Sequence, residues 1–429
     1  MGAGASVQIT EELTKPVDGS DLADEAAARA EVSRLRGLIA EHAPGDAGAA
    51  EGGAYAAELA KIAEVKVSHP DNRAMKHFDA AYFAGLSAEQ QATFINCVRT
   101  GFENVDSGLG CYAMSPADYD TFAPFFDAVC QDYHAADASA VHVTDWDASE
   151  VGENGVLDVT KLGLDELSMR VRVGRNLKKY NLPGAMDKAE RIAFEVDMLA
   201  AFAKLVEDPE YGGEVFSLSP DHGEGVVNPN LISDEKYNEL VSAHVMFKDM
   251  DADPYLKSAG IASDWPYGRG CWQSTDGQCI IWFGEEDQLR IMCMKTGTKL
   301  NEVFDRLKKM LDVVESIEGI EFATSDKYGY VTSCPSNLGT GMRASVHIKL
   351  PNLCSDGTDA KAKAVCKPLG LSVRGTGGEH TPIGADGTVD ISPSNRLFIK
   401  ERDIIAKLYK GIELLMEQEK AAATPAAEA

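Results

Sequence analysis

The sequence has no CxxC pair. Its nine cysteines are scattered singly from Cys97 to Cys366, and an odd number spread in this way argues against a disulfide framework and against a structural zinc site. They read as reduced thiols, most of them small buried hydrophobes. Positive charge is scarce: 41 Lys and Arg against 68 Asp and Glu leave a formal net charge of −27. Such a surface is a poor partner for nucleic acid or anionic lipid, so an anionic ligand would need arginines gathered locally. No apolar run reaches the ~18 residues of a membrane span, and the first residues lack the basic and apolar blocks of a secretory signal. A cytoplasmic location is therefore expected. Also missing are a GxxxxGK[ST] loop and the glycine-loop, HRD and DFG set of protein kinases. Any phosphate bound here must be held by arginines.

What is present suffices for two or three domains: 429 residues, 44% of them hydrophobic. The Ala/Gly-rich start, to about residue 70, suits an extension that is partly disordered and carries one or two short helices. FDAAYFAGLSAEQQATFINCVRTGF and YDTFAPFFDAVCQDYH place apolar residues at helical spacing, with the loop ENVDSGLGCYAM between them. Beyond residue 165, MRVRVGRNL, QCIIWFG, LRIMCMK, YVTSCP, ASVHIKL and LSVRGT read as strands, and LNEVFDRLKKMLDVVESI as a helix. Strands and helices mixed without regular βαβ alternation predict an α+β fold with a largely antiparallel sheet.

The arginines of interest lie in those strand runs: Arg170 and Arg172 in MRVRVGR, Arg290 in EEDQLR, Arg343 in GMRASVH and Arg374 in VRGTGGEH. Residues two apart on a strand share a face, so Arg170 and Arg172 present two guanidinium forks to one side. Five arginines on one sheet face would cradle a polyphosphate; for each alone, an exposed salt bridge is the competing reading. Glu285, Glu286 and Asp287 precede Arg290, and Glu379 follows Gly377 and Gly378. Three adjacent carboxylates repel one another unless a cation joins them, which points to a cationic ligand group or, more plainly, to a solvated acidic turn. Cys334 opens CPSNLGTGMRASVHIKLP at a strand-to-loop junction, with Ser336 placed to hydrogen-bond a thiolate and lower its pKa. His347 is thirteen residues on, so no thiol and base pair is visible.

Taken in chain order, ENVDSGLGCY, LSMRVRVGR, WPYGRG, GEEDQLRIMCMKTG, CPSNLGTGMRASVHIKLP and VRGTGGEHT resemble the motifs of the phosphagen (guanidino) kinases, and the resemblance runs from about residue 75 to 415. It implies a small all-helical N-terminal domain (71–150) and a larger catalytic domain with an antiparallel sheet flanked by helices (151–415); the composition of MEQEKAAATPAAEA adds a disordered tail (416–429). The resemblance also implies reversible transfer of the ATP γ-phosphoryl group, with Mg2+, to a small guanidino compound for ATP buffering. Carried over by motif, Arg170, Arg172, Arg290, Arg343 and Arg374 grip the phosphates of ATP or ADP, and Ser168, His244 and His347 line the nucleotide site. Glu286 and Glu379 orient the guanidinium, Cys334 sits against it as a thiolate, and either glutamate could accept the proton. No residue is expected to ligate the metal directly.

The loop VDSGLGCY resembles the arginine-kinase form, with Ser107, Gly108, Leu109, Gly110 and Tyr112 facing the substrate. Glu379 also favours arginine as substrate, the alternatives being taurocyamine, creatine or another guanidino compound. Three departures from the family pattern stand out: the segment 247–266 lacks the arginine that pairs with the loop aspartate, here Asp106; Gly284 replaces Asn; and Gln288 replaces His. At the start, Met1-Gly2-Ala3-Gly4-Ala5-Ser6 fits the N-myristoylation pattern at Gly2. One acyl chain without a polybasic patch implies weak membrane association, for example at a cilium. Monomer and dimer are both open.

Overall fold

The structure, a computed structural model, describes residues 53–376 and 382–423. The chain divides into two compact units, Met1–Ala60 with Asp79–Ser87, and Lys61–Phe78 with Ala88–Ala429. In the first, Asp79 caps the short helix Ala80–Gly85 by accepting from Ala81 and Tyr82 N–H, and Tyr55 packs edge-on against Phe83. The second unit carries everything discussed below.

Its early part is helical. From Lys61 it holds the greater part of α1 (Ala56–Ser68), then a one-turn helix, Arg73–His77, α2 (Ala88–Glu103) and α3 (Ala123–His134). The later part is an eight-stranded sheet of order β2-β3-β4-β5-β1-β8-β10-β9, with every neighbouring pair antiparallel. The strands are β1 (Leu167–Arg175), β2 (Glu214–Ser217), β3 (Gly270–Gln273), β4 (Cys279–Phe283), β5 (Leu289–Gly297), β8 (Met342–Lys349), β9 (Leu371–Arg374) and β10 (Thr388–Pro393). The pieces β6 (Thr324–Ser325) and β7 (Gly329–Tyr330) pair separately. The helices here are α4 (Lys188–Glu207), α5 (Asp234–Ser242), α6 (Pro254–Ser258), α7 (Leu300–Glu315) and α8 (Glu401–Ala423), with a shorter one at Ala360–Cys366.

The period-2 pattern of β1 explains why the sheet has two unlike faces. Met169, Val171 and Val173 are buried in one cluster with Val346, Ile391 and Ile291 and with the apolar stripes of α4, α7 and α8. The opposite face is apolar only at its β2 to β5 end, where Phe216, Ile280 and Met292 lie under Val245, Phe247, Met250 and Ile261. From Arg290 across to β9 it is polar.

Two segments differ from expectation. YVTSCP is a buried loop beyond Tyr330, because its polar groups are taken up outside a ladder: Ser333 N–H by Asp287, Ser333 C=O by Ala113 N–H, Thr332 C=O by the Tyr119 hydroxyl. The chain from 416 to 423 is helix, not tail. The buried Glu419 carboxylate accepts from Asn352 N–H (2.7 Å) and Leu353 N–H (2.9 Å), which ties the last turns down at a cost that burial without partners would exceed.

Candidate active site

The register assembles the basic residues. Arg172 lies directly opposite Arg343 across β1 and β8, Ser168 opposite His347, and Gly174 opposite Arg290 across β1 and β5. One row further out, Asp390 of β10 faces both His347 and Arg374. Ser168, Arg170, Arg172, Arg290, Arg343, His347 and Arg374 therefore share the polar face. Burial, followed by the like charge of Arg343, depresses the Arg170 guanidinium to about 10. Burial and the charges of Arg290, Arg170 and Arg343 hold Arg172 well below the usual range. Crowding of this kind favours an anion.

Arg343 and Arg290 have carboxylate partners. Arg343 donates to Asp390 and to Ser392 Oγ, and Arg290 forms an ion pair with Glu285 (2.7 Å) while its guanidinium lies 5.3 Å from the centre of the Trp282 ring. Burial pushes Asp390 up, but the His347 hydrogen bond and the Arg343 charge outweigh it and bring the carboxyl to about 2. His244 is exposed, at φ 58° beyond α5. The next residue, Val245, accepts the Trp282 indole N–H (2.6 Å), so Trp282 fixes that segment beside Arg290.

The acidic side is made by turns. Asp287 is buried and accepts from Ser333 N–H (2.7 Å) and Asn176 Nδ2 (2.8 Å), locking the acidic turn to the Cys334 loop. That leaves Glu286, whose carboxyl is pushed up to about 7 by burial and then by its neighbours Asp287 and Glu285. The Cys334 thiol is pushed up to about 12 by burial and then by Glu286. Ser336 Oγ lies 3.0 Å from Cys334 Sγ and acts on the thiol in the expected, lowering sense, but burial and a like charge outweigh it. Arg172, Asp287, Arg290, Asn337, Arg343 and Arg396 line one cleft, and Arg290 reaches Glu286 at 3.6 Å, so the basic and acidic sides meet there.

The loop 106–110 is held by its carbonyls. Gly108 C=O accepts from Arg73 Nη1 (2.9 Å) and Leu109 C=O from Ala74 N–H (2.9 Å), while Gly110 N–H donates to Ser107 Oγ (3.0 Å). Among the described residues, no hydrogen-bond acceptor meets the N–H groups of Gly108 and Leu109. Gly110 needs its φ of 74°, since a Cβ there would sit 2.6 Å from Asn72 Oδ1. Tyr112 follows, and its hydroxyl is pushed up by burial and by Cys334 and Glu286, which places it beside the acidic side. Glu379, with Gly377 and Gly378, lies outside the described residues.

Comparison with known proteins decides the family. Residues 75–131 match the ATP:guanido phosphotransferase N-terminal domain, and residues 214–422 its C-terminal catalytic domain. An arginine kinase of Amphioctopus fangsiao is 36% identical over 335 residues, which is 78% of this chain and 90% of that one. One from Turbo cornutus is 35% identical over 328 residues, 76% of this chain and 86% of the other. The chain belongs to the ATP:guanido phosphotransferases. It is thus a phosphotransferase enzyme of the phosphagen kinase family, whose members use ATP and ADP. Among solved structures, substrate-free duplicated taurocyamine kinase from Schistosoma mansoni superposes with a TM-score of 0.71 at 29% identity, covering 84% of this chain and 49% of that one. The chain spans about half the length of that duplicated protein. A lombricine kinase crystal structure gives a TM-score of 0.69 at 27% identity, covering 82% of this chain and 93% of the other.

Two departures from the phosphagen kinase pattern have local reasons. At Gly284, φ 76°, a Cβ would meet Gly268 C=O at 1.9 Å. The buried Gln288 amide accepts Leu177 N–H (2.7 Å) and donates to Asn181 C=O (2.7 Å), so it staples two loops. Three residues at or beside the cleft escaped the sequence reading. Arg396 donates to Asn337 Oδ1, and Asn337 Nδ2 donates to Glu286 (3.4 Å); Asp390 partners Arg343. SNRLF gives no strand period, and Asp390 stands in an ordinary strand, so neither carried a signal.

Proposed function

We propose that this phosphagen kinase catalyses reversible transfer of the γ-phosphoryl group of Mg-ATP to the guanidinium of L-arginine, giving phosphoarginine as an ATP buffer. The observation that carries this reading is the pairing of two strained charge sets in one cleft. Arginines depressed by burial and by one another lie beside Glu286, which Arg290 reaches at 3.6 Å, and Glu286 in turn adds to the burial that disfavours the Cys334 anion. A ligand with a triphosphate at one end and a planar cation at the other relieves both.

The chemistry then follows from position. Arg170, Arg172, Arg290, Arg343 and Arg374 spread the charge of the phosphoryl oxygens, while Glu286 and Cys334 hold the guanidinium so that one nitrogen lies in line with the phosphorus. That nitrogen forms the new P–N bond as the bond to the ADP oxygen breaks, and its proton passes to a carboxylate. Glu286, at about 7, is matched to that task; Glu379 keeps the orienting role its motif suggests. A guanidinium beside Cys334 opposes the Glu286 charge and draws the thiol toward thiolate. Ser168, His244 and His347 border the nucleotide. Among the described residues no three His, Cys, Asp or Glu side chains gather to hold an ion, so Mg2+ is proposed to arrive on the nucleotide oxygens.

Arginine is favoured because the Gly108 and Leu109 N–H groups suit a carboxylate, and because the arginine kinases named above share about a third of the sequence. A taurocyamine or other guanidino substrate is the second reading, favoured by the loop aspartate Asp106 bonding a tyrosine hydroxyl, not an arginine. A coupled assay of ATP consumption with arginine, taurocyamine, creatine and glycocyamine decides. Turnover fastest with arginine is expected, and none with any of them ends the proposal.

The pattern at Met1–Ser6, outside the described residues, supports N-myristoylation of Gly2 in the cytoplasm, with weak membrane attachment. Coexpression with an N-myristoyltransferase should add one acyl mass, lost in Gly2→Ala; an unmodified wild-type mass would refute it.

A further inference from the structure

The loop that bears Ser107 to Gly110 is gripped from a second side by α6, a five-residue helix. The Tyr255 hydroxyl donates to Asp106 Oδ2 (2.7 Å). Asn104 Nδ2 donates to Pro254 C=O (3.2 Å) and Ser258 Oγ (2.8 Å). Thr100 Oγ1, at the buried end of α2, donates to Tyr255 C=O (3.2 Å) and lies 3.0 Å from Ser258 Oγ. The helix itself is rigidly placed. Asp253 caps it by accepting from Tyr255 N–H (2.9 Å) and Leu256 N–H (3.0 Å), Pro254 presets its first turn, and Leu256 and Ala259 anchor it in the apolar cluster over Ile280 and Met292.

A continuous chain of contacts therefore runs from the sheet beside Arg290, through α6, to Asp106 and on to Gly108 and Leu109, whose N–H groups meet no acceptor among the described residues. The hydroxyl of Tyr112 feels the charges of Cys334, Glu286 and Asp253, so the cap of α6 and the acidic side share a neighbour. Guanidino compounds differ chiefly in the length and charge of the end opposite the guanidinium. The span from Cys334 and Glu286 to the 108–109 N–H groups is then the dimension that selects among them.

We infer that α6 sets this span, with Tyr255 as a positioning residue that holds the Asp106–Gly110 loop at the height fitting one length of guanidino substrate. The inference rests on the function proposed above. Tyr255 is a partly exposed side chain that touches no reacting atom in this scheme, so its effect must appear in substrate recognition and not in nucleotide binding.

The test is Tyr255→Phe, which removes one hydroxyl and keeps the ring, with Tyr255→His as a variant that retains a donor. Kinetics with arginine and taurocyamine should show KM for the preferred compound rising about tenfold in Tyr255→Phe, KM for ATP within twofold of wild type, and the preference between the two compounds shrinking; Tyr255→His should recover part of the loss. Unchanged guanidino KM and preference, or equal losses for ATP and guanidino compound, would overturn it. Amide hydrogen exchange over residues 104–110, read without substrate, separates this inference from the reaction assignment. Faster exchange in Tyr255→Phe supports the latch even in a chain that phosphorylates none of the compounds tried, and unchanged exchange overturns it.

Discussion

The two sides of the cleft are built differently. The basic side is a product of strand register: alternate residues of β1, and the partners that antiparallel pairing puts opposite them, place arginines on one face whatever the loops do. The acidic side depends on turns, and Glu286 lies near enough to Cys334 to bear on its charge because Asp287 ties one loop to the other. Repetition makes the first robust and crowded. The second hangs on single hydrogen bonds, and its charges are tuned by burial.

The contrast can be broken most sharply at Arg172. Arg172→Ala is expected to lower kcat by about a thousandfold, the scale for removing one donor that meets developing charge, while the thermal unfolding midpoint holds or rises because one crowded cation is gone. A falling midpoint would mean that the arginines stabilise the sheet. Next, Cys334→Ala should cut turnover about a hundredfold through misalignment of the guanidinium, with nucleotide affinity by titration unchanged; equal loss of both would erase the division between the sides. The mildest probe is pH. Since Glu286 ionises near 7, forward kcat/KM should fall roughly tenfold per unit below that value, and Glu286→Gln should be nearly inactive and flat. The stability sign is opposite to that of a paired acid: a carboxyl raised from 4.5 to about 7 on folding favours the fold below pH 4.5 and loses that contribution as pH climbs to 7. Glu286→Gln should therefore melt a few degrees above wild type at pH 8 and at the same temperature at pH 4.

Much of the basic side was legible in the sequence, because period-2 alternation in MRVRVGR is a local signal and register carries it across strands. The α+β class followed from the same runs. The acidic side was legible only as residue types. That Asp287 is a tether, leaving Glu286 as the carboxylate proposed for the site, depends on Ser333 and Asn176, far away in the chain. YVTSCP misled because an apolar alternation forms a strand only when its backbone groups find a ladder. Helix α8 outran its expected end because Glu419 bonds Asn352 and Leu353, a contact invisible to local composition. The contribution of Tyr255 was hidden for a similar reason: its partner Asp106 is 149 positions earlier.

The pairing of Arg343 with Asp390, and of Arg290 with Glu285, has a consequence for turnover. Under the proposed reaction, phosphate oxygens arriving at Arg343 and Arg290 would compete with carboxylates already in place. At those two positions binding is then an exchange of one anionic partner for another, which trims the gain on entry and eases departure.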